Sequence, residues 1–407
     1  MKLKVYSIIL FFNYFIAGLI APVISLLLLD KGATLSNLSL ILGIYAFTVI
    51  VLELPTGVIA DVFGRKKSFC LSIIISIVSF IILLFGKGFV LLCLGMMFYG
   101  FSKALSSGSF DALFIDYYID NYGKDKLHNI TTRINVLEAL GMSTGALTGG
   151  LLPKLTNTYF SLSSIYDLNL IIRIILASIV VVLSFVYISE SVNNKEQHVT
   201  IKQHINTSSS IIVKNTTIIC VFISVFSTGF FLSSLETFWQ PHFLSLLPND
   251  SLMGLLGVMA FLYFAAATLG SISSNKLIKK FNFNSYKMYL IFRTLIAVSM
   301  IITAIQTNIP IFMFFYSSIY LLFGMANIPE GVILNKEIPN EVRASVLSVY
   351  SLVIQIGGLT GSLLYSILIN YVTIPTIWKI AAGIILITVV IISKKLSHEI
   401  HGKSIAT

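Results

Sequence analysis

Between two apolar runs, Leu38–Ala60 and Phe69–Phe85, the chain reads GVIADVFGRKKSF, Gly57 to Phe69. A carboxylate, Asp61, lies at the end of the first run, and three consecutive cations, Arg65, Lys66 and Lys67, precede the second. Gly64 stands where a tight turn favours a residue without a Cβ. Asp61 stands where a carboxylate can meet a helix N-terminus or a cation. Each flanking run approaches the ~20 apolar residues that a helix needs to cross a bilayer. A short, charged loop between two such runs reads as a membrane hairpin.

The same pattern continues in both directions. Further apolar segments cover Val5–Leu29, Phe89–Tyr118, Ile130–Leu152 and Leu168–Ile188 in the first part of the chain. Ile218–Leu246, Met253–Leu277, Tyr286–Gln306, Ile309–Leu334, Ser345–Tyr371 and Ile374–Ser393 follow in the second, giving twelve in all. The 407 residues are 56% hydrophobic and only 11% charged, against about 25% charged in soluble domains. A soluble fold would lack the polar coat for this much apolar surface, so the expected fold is an all-α membrane protein. The polar stretch SESVNNKEQHVTIKQHINTSSS, Ser189 to Ser210, has linker composition. It suggests an N-terminal six-helix bundle over residues 1–188, a linker over 189–217 and a C-terminal six-helix bundle over 218–407.

Charge placement sets the orientation. With both termini in the cytoplasm, the inner side collects Lys2, Lys4, Arg65–Lys67, Lys124, Lys126, Arg133, the linker lysines, Lys276–Lys287, Lys336, Arg343, Lys394 and Lys395. The outer loops hold Lys31, Lys87 and Lys154. The positive-inside rule selects this arrangement. It also accounts for the formal net charge of +10, so nucleic acid is not needed as a partner. Cys70, Cys93 and Cys220 sit in apolar runs with no metal-ligand spacing and read as small core residues. An internal repeat is visible: RINVLEALG from Arg133 parallels RASVLSVYS from Arg343, and both segments then carry glycines.

The Gly57–Phe69 stretch resembles the loop signature of the major facilitator superfamily, matching it at Gly57, Ala60, Asp61, Gly64, Arg65 and Lys66, with Val62 departing. The resemblance implies a twelve-helix fold in two six-helix halves. It also implies a conformational latch, in which Asp61 meets the start of the eleventh helix near Arg343 and Arg65 pairs with Asp116, or with Asp120. The fifth segment, GMSTGALTGGLLP, resembles the superfamily's antiporter motif at Gly141, Gly145, Gly149 and Gly150, with Ala146 in place of a proline. Glycines four apart also make a smooth stripe for close helix packing, so a packing role competes with the antiporter role. The arginine that many relatives carry four residues before Gly100 is replaced by Met96.

Charged groups inside apolar runs are the remaining signal, because they are costly in lipid and usually face a cavity or a partner. They are Glu53, Lys103, Asp111 and Glu138 in the first half, and Glu236, Arg293 and Glu330 in the second. Glu53, Gly57 and Asp61 share one helix stripe by their spacing. A carboxylate out of water can bind and release a proton near neutral pH, and Glu53 or Glu138 is the first candidate for that coupling role, ahead of Asp111, Glu236 and Glu330; structural pairing, such as Glu53 with Lys103, is the alternative. Arg293 is expected to neutralise a carboxylate. Glu330, after Pro329, and Asp111 are expected near a membrane surface. Trp239 reads as part of an interfacial aromatic belt or a cavity wall, and Asn13 as a cavity residue.

The chain resembles bacterial drug-efflux members of the superfamily, with Glu53–Ser68 most like members from low-GC Gram-positive bacteria. That implies a monomer in the bacterial plasma membrane, without cofactor, exporting a small hydrophobic or amphipathic compound against protons. A nutrient importer or facilitator is the second reading. A membrane enzyme or receptor has no nucleophile–base arrangement, metal cluster or soluble-sized loop to support it. A single cysteine placed at Asn194 on a cysteine-free background should stay unlabelled by a membrane-impermeant reagent in intact cells. Labelling from outside would overturn the topology.

Overall fold

The computed structural model describes residues 2–107, 109–122, 127–188, 215–249, 252–281, 284–338 and 343–396. These form fourteen α-helices and no strands among the described residues. In the first part they are α1 (Lys2–Ile20), α2 (Ile24–Asp30), α3 (Leu35–Phe63), α4 (Arg65–Phe85), α5 (Phe89–Ser106), α6 (Phe110–Tyr122), α7 (Leu127–Tyr159) and α8 (Asp167–Tyr187). In the second they are α9 (Thr216–Leu246), α10 (Leu255–Phe281), α11 (Ser285–Ile305), α12 (Ile309–Glu337), α13 (Arg343–Leu368) and α14 (Ile374–Lys395). Among the described residues, eleven helices are long and apolar enough to cross a membrane. α7, at 33 residues, is the longest helix and falls outside that set; its threonines and glycines dilute its apolar character.

Two of the twelve apolar segments are each built from two helices. The first breaks at Ala21–Val23 between α1 and α2, and the fourth at Ser107–Ser109 between α5 and α6. A helix broken within an apolar segment leaves backbone groups that lipid cannot satisfy, so protein must. Gln240 does this at the first break. Its carboxamide oxygen accepts from the Ser25 N–H at 2.8 Å, and its nitrogen donates to the Ala21 carbonyl at 2.8 Å. At the second break Ser107 N–H reaches back to the Lys103 carbonyl at 3.0 Å, and the Ser109 hydroxyl donates to the Leu105 carbonyl at 2.6 Å.

The chain divides into two compact units. One comprises Met1–Asn194 with Gln240–Phe264, the other Lys195–Trp239 with Ala265–Thr407. The 189–214 part of the linker lies outside the described residues.

Glycines set the close contacts within each unit. A Cβ on Gly141, Gly145 or Gly149 of α7 would meet the α1 backbone carbonyls of Phe11, Phe15 and Leu19, respectively. In the second unit, a Cβ on Gly357 of α13 would meet the Phe226 carbonyl of α9, and one on Gly229 the Ile354 carbonyl of α13. Thus the fifth apolar segment seats on the first as the eleventh seats on the seventh. Gly100 of α5 likewise seats on Tyr45 of α3, and Gly324 of α12 on Ala267 of α10. The fourth segment meets the second as the tenth meets the eighth, so the repeat read in the sequence recurs in the packing.

The first unit has an aromatic and aliphatic core. Tyr6 of α1 stacks on Tyr117 and Phe114 of α6, with ring centroids 4.6 and 5.6 Å apart, and Phe69 of α4 stacks on Phe110 at 4.3 Å. Asn169 of α8 donates to the Leu19 carbonyl at 3.0 Å and the Gly149 carbonyl at 2.7 Å, tying α8 to the glycine-packed α1–α7 pair.

Lys31, read from sequence as an outer-loop cation, is buried. Its ammonium lies 2.7 Å from the Asp167 carboxylate at the start of α8 and donates to the Leu84 carbonyl at 2.7 Å. The other Asp167 oxygen accepts from the Ser164 N–H at 3.0 Å, and the Lys31 carbonyl accepts from the Gly88 N–H at 2.9 Å. One ion pair therefore gathers the ends of α2, α4 and α8 and the turn into α5. Removing one partner of a buried pair strands the other charge and costs about 3–5 kcal/mol, whereas replacing both by apolar groups is far milder. Lys31→Met and Asp167→Leu should each sharply lower the thermal stability of the detergent-purified protein, and the double variant should recover most of it. A double variant as unstable as the singles would refute the pairing as the source of the cost.

Candidate functional site

α3 ends where Gly64 adopts φ of +98°, a conformation that L side chains rarely take, and α4 starts at Arg65. The chain reverses there within one residue. Lys66 donates to the Phe185 carbonyl at 3.0 Å, placing a cation on the unpaired carbonyl end of α8. Among the described residues no heavy atom lies within 4 Å of where a Cβ on Gly57 would be. The side chains of Asp61, Asp111, Asp116, Asp120 and Arg343 lie outside the described residues.

Several charges expected to be buried are not. Lys103 of α5 and Glu138 of α7 are exposed, and Glu53 of α3 is half-buried. Asn13 is half-buried on α1. The glycine stripe faces α1, and Glu138, three residues before Gly141, is exposed.

The first unit instead buries Arg173, which the sequence reading passed over. It stands in the apolar run LIIRIILASIV of α8 and is 4% exposed. Its guanidinium donates to the Ile16 carbonyl, lies 3.4 Å from the Ser76 hydroxyl, and sits 3.9 Å from the Phe80 ring centroid and 5.2 Å from that of Tyr99. An arginine is always charged. Here backbone and hydroxyl dipoles and two aromatic faces hold it in place of a carboxylate. A lone arginine midway through an apolar run was the available signal.

The second unit holds the densest polar cluster, and it corrects two expectations. Glu330 of α12 is 5% exposed, hence buried rather than near a surface. Pro329 lies inside α12, so the helix continues past it and carries Glu330 into the core. One carboxylate oxygen lies 2.5 Å from the Tyr289 hydroxyl of α11, and the other accepts from the Tyr350 hydroxyl of α13. Tyr289 is also 2.6 Å from the Ser224 hydroxyl of α9. Arg293, one turn along α11 from Tyr289, is 1% exposed. It donates to the Thr228 and Ser227 hydroxyls and, at 3.0 Å, to the Ser224 carbonyl. It was expected to pair with a carboxylate. Among the described residues it makes no ion pair, and Tyr289 contacts Glu330 in its place. Serines at the i and i+3 positions of α9 offer it a carbonyl and a hydroxyl on one face, so its charge is solvated locally.

Glu236 of α9 has the opposite environment. Its neighbours Leu235, Thr237, Phe238 and Gln240 are almost fully buried, yet Glu236 is exposed, and half-buried Leu232 and Ser233 share its stripe. It makes no hydrogen bond or ion pair among the described residues, and the Tyr320 hydroxyl is within its electrostatic reach. Trp239 is 2% exposed, with its ring centroid 5.8 Å from that of Tyr316. It is core rather than interfacial belt or cavity wall, because its side of α9 faces α12. No group of three or more His, Cys, Asp or Glu poised for a metal occurs among the described residues.

The comparisons agree with this architecture. The family model of the Major Facilitator Superfamily matches residues 6–362. The uncharacterised MFS-type transporter YxaM of Bacillus subtilis is 24% identical over 395 residues, covering 92% of this chain and 91% of its own. The quinolone resistance protein NorA of Staphylococcus aureus is 31% identical over 101 residues, 24% of this chain and 26% of its own. The solved nucleoside transporter NupG superposes with a TM-score of 0.80 at 14% identity, covering 97% of this chain and 99% of its own. A bacterial homologue of the lysosomal transporter Spinster does so with 0.70 at 12% identity, covering 98% and 95%. At those identities the solved structures speak for the fold alone. With the family model spanning most of the chain, over helices that pack as an internal repeat, this protein belongs to the major facilitator superfamily of membrane transporters.

Proposed function

We propose that this chain is a proton-coupled exporter of small hydrophobic or amphipathic compounds, working in the bacterial plasma membrane with both termini cytoplasmic. The observation that carries the reading is Glu236, an accessible carboxylate without hydrogen-bond partners among the described residues, on a largely buried membrane helix. A carboxylate with a purely structural role in an apolar helix is paired, as Asp167 is with Lys31. One left open is placed to exchange a proton with water, or to meet a cationic or amphipathic solute. Tyr320 of α12, near Glu236, supplies an aromatic face and a hydroxyl of the kind that binds such solutes. The local similarity to a quinolone resistance protein favours export over import. The likeness to a nucleoside transporter, confined to the fold, lends no support to a nucleoside substrate.

In this reading Glu236 holds either a proton or the solute, so each disfavours the other, as antiport requires. Asp61, Arg65, Asp116 and Arg343 form the cytoplasmic latch that the loop signature implies. The glycine stripe of α7 serves as a packing seam with α1. The test is proton-gradient-driven transport of ethidium in proteoliposomes, with Glu236→Gln matched to wild type in amount and stability. The variant should lose uphill transport by at least about tenfold, the effect of some 1.4 kcal/mol, while keeping downhill movement. A well-folded Glu236→Gln that pumps at the wild-type rate across pH would remove Glu236 from the coupling role.

A further inference from the structure

The cage around Glu330 contains a feature that a purely structural carboxylate does not need. Both of its oxygens face tyrosine hydroxyls, Tyr289 on one and Tyr350 on the other. As a carboxylate it accepts from both, in charge-assisted bonds. Adding a proton to such a site normally sets one O–H against another and orphans a donor. Here Tyr289 has a second partner, the Ser224 hydroxyl at 2.6 Å. A tyrosine hydroxyl has one proton to give and can also accept. It can therefore give its proton to Glu330 and accept from Ser224, or accept from Glu330 and give to Ser224.

We propose that Glu330 is a second proton-binding site of this transporter, with Tyr289 and Ser224 as the hydrogen-bond switch that accommodates the proton. A proton from water adds to the carboxylate oxygen facing Tyr289. The new O–H donates to the tyrosine oxygen. Tyr289 rotates its own proton to Ser224, whose hydroxyl turns to the carbonyl of the preceding helical turn, within reach of any helical serine. No bond to carbon changes, and every donor keeps an acceptor in both charge states.

The charges around the site are few. From α11 it is faced by Tyr289 and Arg293, and from α13 by Tyr350. From α9 the hydroxyls of Ser224, Ser227 and Thr228 take part, the last two through Arg293. Arg293 opposes protonation, but because hydroxyls and a carbonyl solvate it, it keeps its partners when the carboxylate is neutralised. The other consequence falls on α13. With the proton on the Tyr289 side, the oxygen that Tyr350 binds becomes a neutral carbonyl and that bond weakens. Tyr350 is the half-buried member of the cage, so proton uptake loosens the tie of α13 to α12 at its accessible edge. Tyr350 and Ser224 are positioning residues in this scheme.

The inference deepens the proton-coupled reading, and its test needs no substrate. Purified protein is titrated in lipid nanodiscs while infrared difference spectra follow the C=O band of a protonated carboxyl. Measured in the Glu236→Gln background, a component of this band should appear as pH falls and be lost when Glu330→Gln is added. Ser224→Ala removes the acceptor that serves the protonated state, so the midpoint should move about one unit to lower pH, the worth of one neutral hydrogen bond. Tyr350→Phe removes a donor that serves the carboxylate, so the midpoint should move one unit or more, by the same measure, to higher pH. Both substitutions are small, so folding is retained while the switch is altered. Shifts in the same direction, no shift, or no component of the band lost with Glu330→Gln would overturn the proposal. If the band behaves as expected while transport ignores the proton gradient, the site stands and proton coupling fails.

Discussion

The close approach of helices through glycine is the constraint on which the rest of the molecule depends. In lipid, burying apolar side chains gains little, because the solvent is as apolar as they are, and helices associate by contact and hydrogen bonding. Gly141, Gly145 and Gly149 bring the backbone of α7 against that of α1, and Gly229 and Gly357 bring α9 against α13. Each seam then carries polar ties. Asn169 binds carbonyls on both α1 and α7. The Tyr365 hydroxyl of α13 donates to the Phe230 carbonyl of α9 at 3.1 Å, one residue from Gly229. With larger residues in these seams, the carbonyls that now accept would be out of reach.

Charge inside the apolar units is treated in four ways. Lys31 and Asp167 neutralise each other directly. Arg173 and Arg293 are held by carbonyls, hydroxyls and rings, so neither uses up a carboxylate. Glu330 is caged by two tyrosines, and Glu236 is left open. With Arg293 solvated locally, Glu236 and Glu330 make no ion pair among the described residues. In the proposed reading that separation leaves both free to take up a proton, whereas a direct Arg293–Glu330 pair would have fixed the charge of both.

Much of this was legible in the sequence. Apolar runs of membrane length, one charged turn at Gly64–Lys66 and paired glycines were enough for the helices, the fold class and the repeat. Those features depend on local composition and on spacing along one helix. The two helix breaks do not show in hydropathy; their local signals were Pro22 at the first and Gly108 between two serines at the second, while the first break's backbone partner, Gln240, comes from elsewhere in the chain. Burial of individual charges was read less well. Glu138 and Lys103 are exposed, Glu330 is buried, and Lys31 found an acid 136 residues away. A helix pattern shows that a charge lies within an apolar run but not which neighbouring helix it faces. Tyr289 and Tyr350 carried no signal at all, since a tyrosine in a membrane helix usually only packs.

The central claim is that proton and solute exchange on the same protein during transport. The direct measurement is proton release on binding. The purified transporter, in weakly buffered detergent solution near neutral pH with a pH-sensitive dye, is mixed with ethidium at saturating concentration. Competition at an open glutamate predicts a stoichiometric fall in pH, absent in Glu236→Gln although ethidium still binds. Ethidium binding to the wild-type protein with no release of protons at any pH tested would contradict it.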